Sequence, residues 1–307
     1  MLITKAPASD LVKAIPNRYT GYQQCFILHL ILQSLHTMNM RSSIFPLLLL
    51  FFFCGNAQTA IKYGDNPKAG KYCKVNGIRI YYETYGTGKP LLLLHGNGGS
   101  INAFEKTIPY FSKYYKVIAV DSRAHGKSTD PGDSLSFEMM ADDFSVLLDS
   151  LKIDSADVIG WSDGGIDALL LAMRYPNKVR RLAATGANIR PDSTALMPEV
   201  YHQMQDEYIK NKDKVLTDPH QKNDWKILLL DVFQPNLADH QLSIIKCPSL
   251  IIAGDRDVIV PEHTIAIFRA IPHAFLWILP SSGHPTLIEH TDEFNKKVHA
   301  FFEGKQF

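Results

Sequence analysis

Residues 156–175 read ADVIGWSDGGIDALLLAMRY, and this stretch decides the predicted fold. Its first five residues form a short apolar run, the pattern of a β-strand that is buried on both faces. Ser162 follows between Gly160 and Gly164, where a tight strand-to-helix turn leaves no room for side chains. The residues from Asp163 onward then form a helix, whose first N–H groups attract an anion. The alternative is a glycine-rich packing turn in which the serine has no role.

Strand and helix patterns alternate on both sides of this stretch, which predicts a mostly parallel sheet with helices on both faces. Asn76-Gly77 is a two-residue hairpin signal, so the sheet should open with an antiparallel pair. The alternation stops at 188–242, where two helical patterns predict an inserted lid. The predicted strands, after the hairpin at 75–85, are 90–94, 117–120, 156–160, 179–184, 249–253 and 274–279, and the predicted helices outside the lid are 101–114, 137–151, 163–175, 262–270 and 292–303.

Two loops after later strands carry residues that could activate Ser162. A serine hydroxyl is a weak nucleophile until a base within hydrogen-bond reach takes its proton. Asp255 and Asp257 follow the strand SLIIA, and His284 follows the strand AFLWIL. Both loops lie at the carboxyl ends of strands, and the order serine, aspartate, histidine is a known triad order. We predict Ser162 as nucleophile, His284 as base and Asp257 as orienting acid, with Asp255 as a turn-forming residue.

An acyl-transfer site also needs N–H donors for the oxyanion of its tetrahedral intermediate. One predicted donor is the backbone N–H of Asp163, which follows the nucleophile. The other should come from residues 95–99, HGNGG, after the strand PLLLL. We predict the N–H of Asn97, with Gly98 as the alternative, and a structural role for His95.

The side chain of Asp163 has two interpretations. A carboxylate beside the nucleophile attracts a cationic amine and repels carboxylate-bearing substrates, by on the order of 1 to 4 kcal/mol in a partly dry site. An acid at a helix start also stabilises the helix dipole by roughly 0.3 to 1 kcal/mol, with no substrate involved. The sequence leaves both interpretations open.

Five motifs, in the order LLLLHGNGG, DSRAHGKS, IGWSDGG, AGDRDVIVP and SSGHP, resemble those of the α/β-hydrolase superfamily over residues 71–305. The resemblance implies an eight-stranded, mostly parallel sheet with helices on both faces and a short helical lid. Ser162 stands where the dehalogenase and epoxide-hydrolase branches have an aspartate. The chain departs from the superfamily at Ala124, where members usually carry glycine.

The residues that follow Gly160 are most similar to the valacyclovir hydrolase or biphenyl hydrolase-like branch, whose members hydrolyse esters of α-amino acids. In that branch an aspartate next to the nucleophile holds the substrate ammonium, and Asp163 matches it. The resemblance implies a serine hydrolase that cleaves a small carboxylic ester, such as an α-amino acid ester, through an acyl-enzyme. The alternatives are an iminopeptidase or another amidase, and a non-catalytic binding domain of the same fold.

Other features limit the ligands and partners. The formal net charge is +1, with no long run of one sign, so we expect neither nucleic acid nor a charged lipid surface as partner. No metal-binding cluster or dinucleotide fingerprint is present, and LLHGNGGS lacks the lysine of a phosphate loop. We therefore predict a small-molecule ester or amide substrate, no metal and no cofactor.

The N-terminus carries an apolar run at 44–53, IFPLLLLFFF, which is too short to span a membrane. With Arg41 before it and small residues after it, the run predicts a signal peptide at about 40–57, cleaved before Gln58. The mature protein would then be a secreted or periplasmic hydrolase domain over 58–307, and residues 1–39 an extension. A lipoprotein anchored at Cys54 and a membrane hairpin are the alternatives.

Two cysteines remain in the predicted mature domain. Cys73 belongs to the first strand pattern and Cys247 to a late one, which the predicted fold separates by several strands. A disulfide needs Cα atoms within about 7 Å. We therefore expect two buried free thiols.

Overall fold

The alternating strands assemble into one eight-stranded sheet in the computed structural model of the protein, which describes residues 61–306. The order across the sheet is β1-β2-β4-β3-β5-β6-β7-β8. The first two strands pair antiparallel across the Asn76-Gly77 turn, β2 runs antiparallel to β4, and the other pairs are parallel. The strands are β1 (Gly70–Val75), β2 (Ile78–Tyr85), β3 (Lys89–Leu94), β4 (Tyr115–Val120), β5 (Ala156–Trp161), β6 (Val179–Thr185), β7 (Ser249–Gly254) and β8 (Ala274–Leu279).

Helices cover both faces of this sheet. They are α1 (Ile108–Phe111), α2 (Phe137–Ser150), α3 (Asp163–Arg174), α4 (Pro198–Asn211), α5 (Pro219–Phe233), α6 (Pro261–Ala270), α7 (Thr286–Glu289) and α8 (Thr291–Phe302), with 3₁₀ turns at Ile101–Phe104, Pro176–Lys178 and Asp239–Ile244. Leu92 and Leu94 of β3 pack in one core cluster with α2 and α3, while Leu91 and Leu93 pack in a second cluster with α1 and α8. The predicted eight-stranded, mostly parallel sheet with helices on both faces is confirmed.

The predicted helix at 101–114 is wrong as a continuous element. The structure has a 3₁₀ turn at Ile101–Phe104 and then the four-residue helix α1. Pro109 is the second residue of α1. Its ring lacks an N–H group and would collide with the preceding turn of a longer helix, so the chain has to start a new helix there.

The insertion predicted at 188–242 contains two helices, α4 and α5. Two side chains of α5 and the residue that follows this helix contact the segment after β4. Asn223 donates to the carbonyl of Ala124, Lys226 pairs with Asp130 at 2.9 Å, and Gln234 donates to the carbonyl of Leu135. These contacts hold α5 against the segment that follows β4.

Ala124 has a φ of 67°, in the left-handed region that favours glycine. A glycine at this position would adopt the same backbone conformation without strain. Alanine at such a position costs on the order of 1 kcal/mol of backbone strain.

Cys73 and Cys247 are free thiols, as predicted, although Cys73 is only half-buried. Among residues 61–306, no helix is long and apolar enough to cross a membrane. The predicted signal peptide at 40–57, its cleavage before Gln58 and the alternative anchor at Cys54 lie outside the described residues, and they stay predictions.

Asp167 is a fully buried carboxyl group on α3, and neither of its oxygens has a hydrogen-bond partner within 61–306. Burial raises the pKa of Asp167 well above its usual value, and the nearby acids Asp163, Asp143 and Glu138 raise it further. The folded protein therefore keeps a proton on Asp167 that the unfolded chain releases above about pH 4.

This proton makes stability fall as the pH rises. Because the folded-state pKa lies above the unfolded one, the stabilising contribution is complete below pH 4 and declines by about 1.4 kcal/mol per pH unit until the folded-state pKa is reached. Asp167→Asn removes this titration, so the stability of the variant relative to the wild type should rise progressively as the pH increases above about 4. Urea unfolding at several pH values tests it, with the exposed Asp154→Asn as the matched control. A constant difference across pH would contradict it.

Candidate active site

The turn from β5 into α3 is a close backbone crossing that sets the position of Ser162. A Cβ atom on Gly160 would lie 2.0 Å from the carbonyl oxygen of Gly164, and one on Gly164 would lie 2.0 Å from that of Leu94. Both positions therefore require glycine. Ser162 itself has φ 57° and ψ −121°, and its N–H donates to the carbonyl of Thr185 at 2.9 Å. The serine is held in a strained conformation between the ends of two strands.

The structure brings Ser162, His284 and Asp257 together. The Nε2 atom of His284 lies 2.9 Å from Ser162 Oγ, and its Nδ1 atom lies 2.7 Å from Asp257 Oδ1. A carboxylate only accepts, so Nδ1 carries the imidazole proton and Nε2 accepts from the serine hydroxyl. This arrangement can remove the hydroxyl proton and stabilise the resulting imidazolium.

Neighbouring groups hold the imidazole and the acid. Trp161 Nε1 donates to the carbonyl of His284 at 3.2 Å, and Gly186 leaves room for the ring, since a Cβ there would lie 2.7 Å from it. Asp257 is 4% exposed, and its Oδ1 also accepts from the N–H of Ile259 at 3.1 Å. Its Oδ2 is buried with no partner among the described residues.

Asp255 occupies a different place from Asp257. Its Oδ1 accepts from the N–H of Ser282 at 3.1 Å, and such bonds from backbone N–H groups hold the pKa of Asp255 below its usual value. The residue thus closes the contact between the loops after β7 and β8. It does not touch His284, which bonds to Asp257.

The loop after β3 lies directly against the serine. A Cβ on Gly96 would be 2.9 Å from Ser162 Cβ, which places the predicted oxyanion donor Asn97 next to the nucleophile. Within residues 61–306, the backbone N–H groups of Asn97 and Asp163 donate to no internal acceptor. Both donors are therefore available to a ligand atom beside Ser162.

His95 is buried and bonded on both sides of its ring. Its Nε2 accepts from the N–H of Ser122 at 3.1 Å, and its Nδ1 lies 2.8 Å from the carbonyl of Gly96. Burial lowers the pKa of His95 to about 4. The ring is neutral at physiological pH and ties the loop after β3 to the segment after β4.

Asp163 is buried, at 5% exposed, beside the nucleophile. Asn97 Nδ2 donates to its Oδ2 at 3.0 Å. Burial raises the pKa of Asp163, while Asn97 and the nearby His125 act in the opposite direction. The carboxyl group also contacts Asp231 on α5.

Sequence reasoning missed Asp231 and His125. The available signal was an acidic residue inside the apolar run ILLLDVF, because an acid at the centre of such a run needs a partner. His125 lies in DSRAHGKS, and no local feature of the sequence distinguishes it from the other histidines among the twelve. Within the same described ranges, no group of three or more histidine, cysteine or acidic side chains is arranged to hold a metal ion.

Comparisons with known proteins show that this chain is similar to hydrolases. The family model that matches residues 89–206 is that of the alpha/beta hydrolase fold. Serine hydrolase BPHL of Mus musculus is 27% identical over 266 residues, covering 80% of this chain and 90% of that protein. The 2-hydroxymuconate semialdehyde hydrolase of Pseudomonas sp. strain CF600 is 29% identical over 268 residues, covering 77% of this chain and 95% of that protein.

The fold is also similar to those of solved hydrolase structures. The meta-cleavage product hydrolase CumD of Pseudomonas fluorescens IP01 superposes with a TM-score of 0.61 at 26% identity, covering 78% of this chain and 99% of that one. The enol-lactonase of Burkholderia xenovorans LB400 superposes with a TM-score of 0.62 at 22% identity, which supports the fold alone. The chain is thus similar to hydrolases over nearly their whole length.

The strain at Ser162 can be measured through stability. Glycine adopts a positive φ without strain whereas alanine is strained there, so Ser162→Gly should be more stable than Ser162→Ala by about 1 kcal/mol. At an ordinary position the order is reversed, because glycine loses more backbone entropy on folding. Urea unfolding of both variants tests the prediction, and an alanine variant as stable as the glycine variant would refute it.

Proposed function

This chain belongs to the α/β-hydrolase superfamily, and from that premise we propose that it is a serine hydrolase of small carboxylic esters, with α-amino acid esters as preferred substrates. The observation that carries the proposal is the hydrogen-bonded series from Ser162 Oγ through His284 to Asp257. The three side chains come from three loops at one end of the sheet. Such a series has the geometry of nucleophilic acyl transfer.

In the proposed reaction, Ser162 Oγ attacks the ester carbonyl carbon while His284 Nε2 takes the hydroxyl proton. The N–H groups of Asn97 and Asp163 stabilise the oxyanion of the tetrahedral intermediate. The intermediate collapses to an acyl-enzyme, and the alcohol leaves with the proton from His284. Water then attacks the acyl group with the same base and releases the acid and free Ser162.

The preference for an amine rests on the Asp163 carboxyl group. It is buried one residue from the nucleophile, so a substrate ammonium beside the scissile carbonyl would lie within its reach. The helix dipole interpretation accounts for an acid at this position, but not for its burial. Burial costs a carboxylate several kcal/mol unless a partner compensates, and a bound cation provides that compensation.

Carbon–carbon bond hydrolysis is a second candidate, because a relative at 29% identity is named 2-hydroxymuconate semialdehyde hydrolase. The compound in that name carries a carboxylate. The ion pairs among residues 61–306 do not include Asp163, so no lysine or arginine there neutralises it. An anionic substrate would be repelled, which favours the ester proposal.

The first test concerns the three catalytic side chains. Ser162→Ala should abolish turnover of p-nitrophenyl acetate. The variant should still be folded, which its thermal unfolding curve will show. Asp257→Asn should lower kcat/KM by roughly 10³- to 10⁴-fold, because it no longer holds the imidazole in its reactive tautomer. Asp255→Asn, on the same loop, is the matched control and should keep wild-type activity. Equal losses in the two aspartate variants would contradict the assignment of Asp257.

The second test separates the substrate classes. We expect the benzyl ester of L-alanine to exceed its N-acetyl derivative in kcat/KM by on the order of 10- to 100-fold, since acetylation removes the charge that Asp163 attracts. L-Alanine p-nitroanilide should react slowly if the enzyme is an esterase. Equal rates on the free and acetylated esters would disprove the amine preference, and a faster anilide would identify an amidase.

A further inference from the structure

Asp231 is an acidic residue in the most apolar part of α5. Its neighbours Leu230 and Val232 are buried, at 1% and 3% exposed. The helix lies over the loop after β3, where Asn97 Nδ2 is 3.4 Å from the carbonyl oxygen of Ile227. One helical turn beyond that contact, the Asp231 carboxyl group reaches the nucleophile turn.

There the carboxyl group of Asp231 shares a side-chain hydrogen bond with that of Asp163. Two adjacent carboxylates repel each other unless a proton or a cation lies between them. In the free protein a proton fills that role, because burial and the negative charge of Asp163 raise the pKa of Asp231 to about 9. Neither Asp163 nor Asp231 forms an ion pair with a described residue. Both acids accept a hydrogen bond from the side chain of Asn97, which is neutral.

His125 supplies an independent observation. Its Nδ1 lies 2.8 Å from the carbonyl oxygen of Arg123, which only accepts, so Nδ1 carries the proton and Nε2 is an acceptor. That Nε2 atom is buried without a partner in the part of the chain that the structure describes, on a residue 4% exposed. The ring is close enough to Asp163 for each to shift the pKa of the other.

Burial lowers the pKa of His125 to about 4, so the ring is neutral at physiological pH and does not offset the two acids. The other titratable groups near Asp163 are His284, which lowers the pKa of Asp163, and the buried Asp167, whose own pKa Asp163 raises. The region therefore offers carboxyl oxygens and one unused imidazole nitrogen as acceptors. It lacks a positively charged donor.

We propose that Asp231 is a specificity-determining residue, which binds the primary ammonium group of the substrate together with Asp163 and the Nε2 atom of His125. An ammonium group has three N–H donors and one positive charge, which match three acceptors and an excess of negative charge. A quaternary ammonium has no N–H donor, and a carboxylate is repelled. The inference rests on the proposed function and extends it from one acid beside the nucleophile to a second acid on the lid.

Binding of the ammonium should displace a proton. The cation stabilises both carboxylates in their ionised form, so the proton on Asp231 leaves for solvent as the ammonium takes its place. Both acids keep a hydrogen bond, because an N–H donor to each of them replaces the single O–H donor that they share. Below about pH 7, where the substrate amine already carries its proton, binding is therefore expected to be coupled to proton release.

The ratio of kcat/KM for the benzyl ester of L-alanine to that for its N-acetyl derivative tests the role of Asp231. Asp231→Asn keeps the side-chain shape but removes the negative charge, and it should lower the ratio by roughly 10- to 100-fold, chiefly through the KM of the free amine. Asp224→Asn, an exposed acid on the same helix, is the matched control and should leave the ratio unchanged.

The outcomes separate this inference from the proposed function. A wild-type enzyme that prefers the free amine, with Asp231→Asn retaining that preference, overturns the role of Asp231 and leaves the ester hydrolase intact. A wild-type enzyme that hydrolyses neither ester overturns the proposed function and this inference with it.

A second measurement does not depend on the folding of the Asp231 variant. Calorimetric titration of the full-chain Ser162→Ala protein with the benzyl ester of L-alanine, at pH 6.5 in phosphate and in imidazole, gives the number of protons released on binding. We expect a release of about one proton per bound ester. Binding of the ester without proton release would overturn the inference.

Discussion

The close backbone crossing at Ser162 is the constraint on which the rest of the structure depends. Gly160 and Gly164 let β5 and α3 approach each other and the end of β3 at distances that a Cβ atom would prevent. The same approach brings the loop with Asn97 against the serine. One packing contact therefore positions the nucleophile and both candidate oxyanion donors, and the strained φ of Ser162 is its cost.

Negative charge near this crossing is the second organising feature. Asp163, Asp167 and Asp231 lie close together without an ion pair, and burial raises the pKa of each. Such an arrangement weakens the fold, because each carboxyl group gives up its hydration with little compensation. Proteins often concentrate such unfavourable groups where a ligand later satisfies them. In the proposed function, a substrate ammonium satisfies Asp163 and Asp231, while Asp167 remains a cost to stability.

Much of the fold followed from local patterns. Apolar runs such as LLLL before His95 identified the strands, and the Asn76-Gly77 turn identified the antiparallel start of the sheet. The prediction of a helix at 101–114 was wrong because it was based on the spacing of apolar residues, which does not take into account that the ring of Pro109 breaks the helix. The positive φ of Ala124 was not predicted, because an alanine, unlike a glycine, gives no signal for the left-handed region.

The sequence by itself determined the order of the elements and the residues that could carry out acyl transfer, because the turn at Ser162 and the strand ends before Asp257 and His284 are local features. Asp257 was predicted from the sequence as the acid that faces His284, whereas only the tertiary structure decided which residues surround Asp163. Asp231 reaches Asp163 from a separate helix whose position depends on packing against several loops. Side-chain contacts between segments far apart in the chain arise from that packing, and no periodic pattern in the sequence records them.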